Sequence, residues 1–187
     1  MPTPLTVLKI GGGLLPGPGR LAAVGRRLVE WRPANSVVVV PGGGPFADLV
    51  RSLDREHGLS PTSAHWMAIL GMDQYAWMLH GATPGSRLVE DRGGLLAAHQ
   101  DGQLPILAPS RWLRAADELP HRWEVTSDSL AAYLATLLGA MELVLVKPVS
   151  GGTELLDPWF ARVAPADLRV RIVGVEEFLA AAEARPG

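Results

Sequence analysis

VVVVPGGGPFADLVR, residues 37–51, is the stretch from which the rest of the chain can be read. Ser36 to Val40 predicts a strand. A strand with one wet face alternates apolar and polar residues, whereas an unbroken β-branched run suits a strand covered on both faces. Pro41 brings no N–H to a ladder, and Gly42, Gly43 and Gly44 strip the side chains from the turn that follows. Phe46 to His57 reads as a helix. The same order precedes it. Thr6 to Ile10 (TVLKI) is a short buried strand, Gly11 to Gly13 breaks it, and Arg20 to Trp31 is a helix with Leu21, Val24, Leu28 and Trp31 on one face. Strand, glycine turn, helix, repeated once, predicts an α/β fold with a mostly parallel sheet.

Further along, Thr62 to His80 is a long helix whose stripe of Trp66, Ile69, Leu70, Asp73 and Trp77 is joined by Met67 and Met78 on other faces. A helix apolar nearly all round belongs in a core or between subunits, so a homodimer or larger homo-oligomer is expected. Ala82 to Asp101 is rich in glycine and charge and reads as short strands or loops. Leu104 to Leu107 is a strand stopped by Pro109. Ser127 to Gly139 is a helix with Leu130, Tyr133, Leu134, Leu137 and Leu138 on its buried side, capped by Thr126 or Ser127, with Asp128 in its first turn. Leu143 to Val146 and Val170 to Val173 are the last strands, and Glu176 to Ala182 the last helix.

Composition narrows the function. Hydrophobic residues make up 48% of the 187, enough for one packed domain, and charged residues 19%, too few for a disordered scaffold. With Cys 0, a disulfide framework, a cysteine-bound zinc and a thiol nucleophile are all excluded. A net charge of −2 with scattered arginines leaves no footprint for nucleic acid. Neither a signal-peptide pattern nor an apolar run of ~18 residues is visible, so a cytoplasmic location without a membrane partner is expected. Of the 17 Lys and Arg residues only Lys9 and Lys147 are lysine, and each ends a strand beside a glycine turn. Lysine is a compact point charge and arginine a planar fork, so a site needing a compact cation against phosphate oxygens resists the exchange.

Two glycine triplets directly after buried strands can present clustered N–H groups to phosphate oxygens, outside the carboxyl ends of the sheet. GxxxxGK[ST] is absent, which argues against a P-loop. A GxGxxA pattern at Gly17 to Ala22 lies beyond the first strand, contains Pro18 and lacks the acidic residue that a dinucleotide site needs. HExxH, GxSxG and an EF-hand loop are also absent. His57, His65, His80, His99 and His121 show no metal-ligand spacing and are expected on the surface or at caps. WEVTSDS, residues 123–129, packs three hydroxyls around a carboxylate at a helix start, and VLVKPVSGG, residues 144–152, runs another strand into lysine and a glycine turn.

In this order, from Lys9 to about Asp157, the elements resemble the amino acid kinase family, whose members include aspartokinase, acetylglutamate kinase and uridylate kinase relatives. HWMAILGMDQYAW, residues 65–77, and LPHRWEVTSDSLAA, residues 119–132, resemble the branch that converts aminomethylfuranylmethyl phosphate to its diphosphate in methanofuran-type cofactor biosynthesis. The resemblance implies a three-layer α/β/α sandwich and an ATP- and Mg²⁺-dependent kinase. It implies one domain over 1–187, with an acceptor-side lobe to about 125 and a trimmed nucleotide-side lobe from about 126. By the same resemblance Lys9, Asp128 and Lys147 are catalytic. Lys9, Gly11, Gly12, Gly13 and Lys147 hold the ATP phosphates, and Gly42, Gly43, Gly44, Thr126 and Ser127 the acceptor. No protein ligand to a metal is implied. Asp48, Asp73 and Glu124 are candidates to meet an acceptor amine.

The chain departs from the family at Gly13, where serine is usual, at Pro148 after Lys147, and at Ser150, where aspartate is common. Two alternatives stay open: a family enzyme acting on a carboxylate or on isopentenyl phosphate, and a nucleotide-binding or storage subunit without turnover.

Overall fold

The computed structural model describes residues 4–14, 17–31 and 36–180. Six strands form one parallel sheet: β1 (Thr6–Ile10), β2 (Val37–Pro41), β3 (Ser86–Val89), β4 (Leu104–Leu107), β5 (Glu142–Lys147) and β6 (Arg169–Gly174). Their order is β3-β4-β2-β1-β5-β6. The chain therefore starts near the middle of the sheet, builds towards one edge, then returns to the other side of β1. Ligands in open parallel sheets gather at such a reversal, above the strand ends. Lys9 pairs in register with Val40 of β2 and Leu145 of β5, so the loops after β1, β2 and β5 emerge together.

Alternation along the strands feeds two cores. Leu8, Ile10, Val39, Val144 and Val146 face α1 (Arg20–Glu30), α8 (Val175–Ala180) and the Tyr75, Ala76 and Leu79 side of α3 (Pro61–Ala82). Val7, Val38, Val40, Leu143 and Leu145 face α4 (Arg92–Gln100) and α6 (Ser127–Leu138). The result is three layers, α/β/α. Val37 to Val40 are all buried, as a run with no polar alternate requires. Each such valine contributes roughly 1.5 kcal/mol or more by leaving water. Among the described residues no helix is long and apolar enough to cross a membrane.

Local sequence explains most boundaries. α2 (Gly44–His57) starts two residues earlier than Phe46, with Pro45 in its first turn, and ends at Gly58 with φ 61°. Ser60 caps α3 by accepting the Ser63 N–H. Thr126 caps α6, accepting the Asp128 N–H at 3.3 Å, and Gly139 closes it at φ 71°. The helix expected to run to Ala182 is described to Ala180, and the remainder lies outside the described residues.

Three helices went unforeseen, the shortest being α7 (Phe160–Val163), which buries Phe160. α4 occupies the stretch read as strands or loops. Its Gly93 and Gly94 depress helix propensity, but Asp91 caps it through the Gly94 N–H at 2.8 Å, and Leu95 and Ala98 bury against the sheet. α5 (Ser110–Ala116) follows Pro109 and buries Leu113. The stripe read on α3 also differs from its buried face, which is Ile69, Met72, Tyr75, Ala76 and Leu79, while Leu70 and Trp77 are exposed.

Candidate active site

Three strand ends and one helix start converge above β1, β2 and β5. Lys9, one residue from the end of β1, is buried, and its ammonium donates to Asp128 Oδ1 at 2.9 Å. Lys147, the last residue of β5, donates to the other oxygen, Asp128 Oδ2, and to the Leu155 carbonyl at 2.7 Å. One carboxylate thus holds both of the chain's lysines, each on its own oxygen. Burial alone would raise the Asp128 pKa, but the two ammonium groups outweigh it and keep the carboxyl below its ordinary value. Burial lowers the Lys9 pKa, and Asp128 offsets part of that fall. Two ammonium groups thus share one carboxylate, and Asp157 is a further anion acting on Lys9.

Asp128 is itself held from below. Asp157, which sequence reading passed over, accepts the Thr126 N–H at 3.1 Å, the Thr126 hydroxyl at 2.7 Å and the Ser129 N–H at 3.1 Å, and also takes the Ser129 hydroxyl. It clamps the first turn of α6, where a carboxylate complements the helix dipole. Two of the three hydroxyls of WEVTSDS, those of Thr126 and Ser129, therefore have a partner beyond an ordinary cap. The one local bond of Asp157, from the Trp159 N–H at 3.0 Å, is that of an ordinary turn, and the partners that matter here lie 28 to 31 residues upstream.

The glycine loops interlock. A Cβ on Gly12 would fall 2.3 Å from the Gly44 nitrogen, and one on Gly42 would fall 2.9 Å from the Gly12 nitrogen. Only bare backbone lets the loops pass this close. Gly11 and Gly42 give their N–H groups to sheet carbonyls, Val146 O at 3.0 Å and Ile10 O at 2.8 Å. Gly12 opens a short 3₁₀ turn, Gly12–Leu14, and Gly44 opens α2, places where the first N–H groups have no partner within the helix. Beneath both loops lies buried Tyr75, whose hydroxyl reaches the Gly11 carbonyl at 3.3 Å. Two departures from the family pattern meet here: a Cβ on Gly13 would lie 3.1 Å from Pro148 Cγ, so the small residue accommodates the ring. The third, Ser150, accepts the Gly174 N–H at 3.0 Å and donates to Glu177 at 3.0 Å.

Beside the loops opens a pocket of about 390 Å³. Gly12, Gly13, Gly43, Gly44, Thr126 and Ser127 form its inner wall, and Arg51, Asp48, Asp54, Arg122, Trp123 and Glu124 bring charge and an aromatic face. Asp54 accepts the Trp123 indole N–H at 2.6 Å, while Arg51 lies over the Trp123 ring at 4.7 Å. Of the three acids considered for an amine, Asp48 and Glu124 line the pocket. Asp73 does not. It accepts the Ser110 N–H at 3.0 Å and ties α3 to α5. Asp54 joins the acids on the wall. His65 and His121, both half-buried, also line it, stacked with ring centres 4.2 Å apart. Burial, helped by the His121 ring, pushes His65 down to about 4.

Residues 4–151 match the sequence profile of the amino acid kinase family. The chain belongs to the amino acid kinase family. Among curated relatives, it is 30% identical over 147 residues to the [5-(aminomethyl)furan-3-yl]methyl phosphate kinase of Methanocaldococcus jannaschii. That alignment spans 78% of this chain and 66% of the relative. Among solved structures of the amino acid kinase fold, the UMP kinase of Ureaplasma parvum superposes with a TM-score of 0.75 at 14% identity, covering 98% of this chain and 96% of that one. The uridylate kinase of Archaeoglobus fulgidus gives 0.68 at 18% identity, with 96% of both chains covered.

Proposed function

We propose that the protein is an ATP-dependent phosphotransferase that adds the γ-phosphoryl group to a small phosphate-bearing acceptor, and that this acceptor is aminomethylfuranylmethyl phosphate. The observation that carries the reading is the shared Asp128 carboxylate, which fixes both lysines beside two bare-backbone loops and a pocket of small-molecule size.

Phosphoryl transfer passes through a loose transition state with charge spread over the equatorial oxygens, so positioning and electrostatics dominate. Lys9 and Lys147 supply positive charge to that centre, and Asp128 fixes where each ammonium points. The loop N–H groups around Gly12 and Gly44 orient anionic oxygens without a side chain in the way. The loops suit a nucleotide's phosphates because Gly12 and Gly44 open helical turns whose first N–H groups carry no side chain to hold an anion off. Mg²⁺ brought in with the nucleotide would supply further neutralisation of the phosphate charge beside Lys9 and Lys147. An acceptor phosphate is already ionised near pH 7, so no general base is required.

The pocket's mixed charge supports the finer assignment. Arg51 and Arg122 suit an anion, Asp48, Asp54 and Glu124 suit an ammonium, and the Trp123 face suits a flat ring. An isoprenoid tail would leave these acids facing hydrocarbon, at a cost. The division into an acceptor-side lobe to about 125 and a nucleotide-side lobe after it follows from the same reading. Phosphorus NMR of the protein with MgATP and aminomethylfuranylmethyl phosphate, beside carboxylate and isopentenyl phosphate acceptors, tests it. A new diphosphate signal from the furan compound is expected. Transfer to another acceptor alone would replace the substrate, and nucleotide binding without any transfer would replace the reaction.

A further inference from the structure

Away from the lysine–carboxylate cluster, three elements bring a second set of chemical groups together. His65 comes from the first half of α3, Asp117 ends α5, and His121 lies in the segment leading to α6. Their donor atoms all fall within 4.8 Å of one another. We infer that His65, Asp117 and His121 bind one divalent transition metal of the zinc, cobalt or nickel class on the wall of the pocket.

The donor set argues for that class. Two imidazole nitrogens with one carboxylate oxygen suit zinc, cobalt and nickel, whereas magnesium prefers an all-oxygen shell. The local hydrogen bonds hold two of the donors together, and a metal would take the place of the proton between them. His121 Nε2 meets Asp117 Oδ1 at 2.9 Å, and His121 Nδ1 meets the Thr62 hydroxyl at 3.0 Å. When Nε2 takes a metal, Nδ1 keeps its proton and donates to Thr62, the usual way an outer partner fixes a ligating imidazole. Asp117 sits at φ 41°, the left-handed region, where among the described residues no other non-glycine is found. Aspartate tolerates this conformation better than most residues, and it turns the carboxylate back towards His121.

The distances require one adjustment. A tetrahedral ion with bonds of roughly 2.0–2.1 Å needs donors about 3.3 Å apart. A donor pair at the outer limit of 4.8 Å would have to close by about 1.5 Å, a shift within the reach of side-chain rotation. Three protein ligands leave a fourth position. Since His65 and His121 line the pocket, that position is open to water or to an anionic oxygen bound there. The site stands on its own donors and does not depend on the kinase reading.

Titration of the full chain with Co²⁺, in metal-free buffer without nucleotide, tests the inference. Uptake of one equivalent is expected, with the visible absorption of a low-coordinate cobalt ion, and excess Mg²⁺ should leave the spectrum unchanged. His65→Gln, His121→Gln and Asp117→Asn should each weaken binding by at least ~10-fold. Asp117→Asn keeps a residue suited to the left-handed region, so it reads the ligand without breaking the turn, and circular dichroism checks its fold. His57→Gln, at an exposed histidine outside the cluster, should bind as the parent does. Absent saturable uptake, displacement by Mg²⁺, or equal uptake in His121→Gln and Asp117→Asn would overturn the assignment.

Discussion

Gly12→Ala measures how far activity depends on the interlocked loops. The added methyl would sit 2.3 Å from the Gly44 nitrogen and 2.4 Å from its Cα. Both are backbone atoms at the start of α2, so no side chain can swing aside. Ordinary contact begins near 3.4 Å, and the loops must therefore part by about 1 Å. A displacement of that size in a positioning element costs about 10²-fold in rate. Overpacking should also destabilise the fold by roughly 1–3 kcal/mol, a few degrees in Tm for a chain of this size. The assay is ATP turnover with the preferred acceptor, beside thermal melting. Gly81→Ala is the control. Its new Cβ meets nothing within 4 Å, and in a helix it should stabilise by about 0.5–1 kcal/mol. If Gly12→Ala keeps kcat within about threefold of the parent while melting normally, the loops do not set the transfer geometry and the reasoning fails.

Lys9→Ala and Lys147→Ala should each lower kcat by about 10²-fold or more, since a lost charge contact at a developing anion costs ~3 kcal/mol, and steady-state kinetics checks this. Asp128→Asn should destabilise by about 3 kcal/mol, because two ammonium groups lose their shared partner. The Asp128 pKa is depressed on folding, so its contribution is complete above the ordinary aspartate value of about 3.9 and fades as pH falls through the lower folded value. Denaturant melts should thus show the parent and Asp128→Asn converging below about pH 4 and separated by a constant gap above pH 5. Gly13→Ser should cost more in the parent than in a Pro148→Gly background, with a coupling of about 0.5 kcal/mol or more in a double-mutant cycle, because a Cβ at 13 meets Pro148 Cγ at 3.1 Å.

Sequence legibility follows the range of the interaction. The unbroken valines, both glycine triplets, a cap at Thr126 or Ser127 and the two surviving lysines are local patterns, readable because short-range sterics and burial dictate them. α4 was not readable, because Gly93 and Gly94 argue against a helix that only the sheet beneath Leu95 and Ala98 makes worthwhile. The exposed Trp77 stripe misled for the same reason. Hydrophobicity tells that a helix is apolar, but not which side a neighbour covers.

By itself the sequence determined the parallel α/β plan, its glycine turns and the two lysines at the strand ends. Only the tertiary structure decided that Lys9 and Lys147 share one carboxylate across 119 and 19 residues of chain, that Asp157 anchors the turn presenting it, and that His65, Asp117 and His121 meet. Period and propensity act over a few residues, whereas these contacts are set by strand order and register, which place the ends of β1, β2 and β5 side by side.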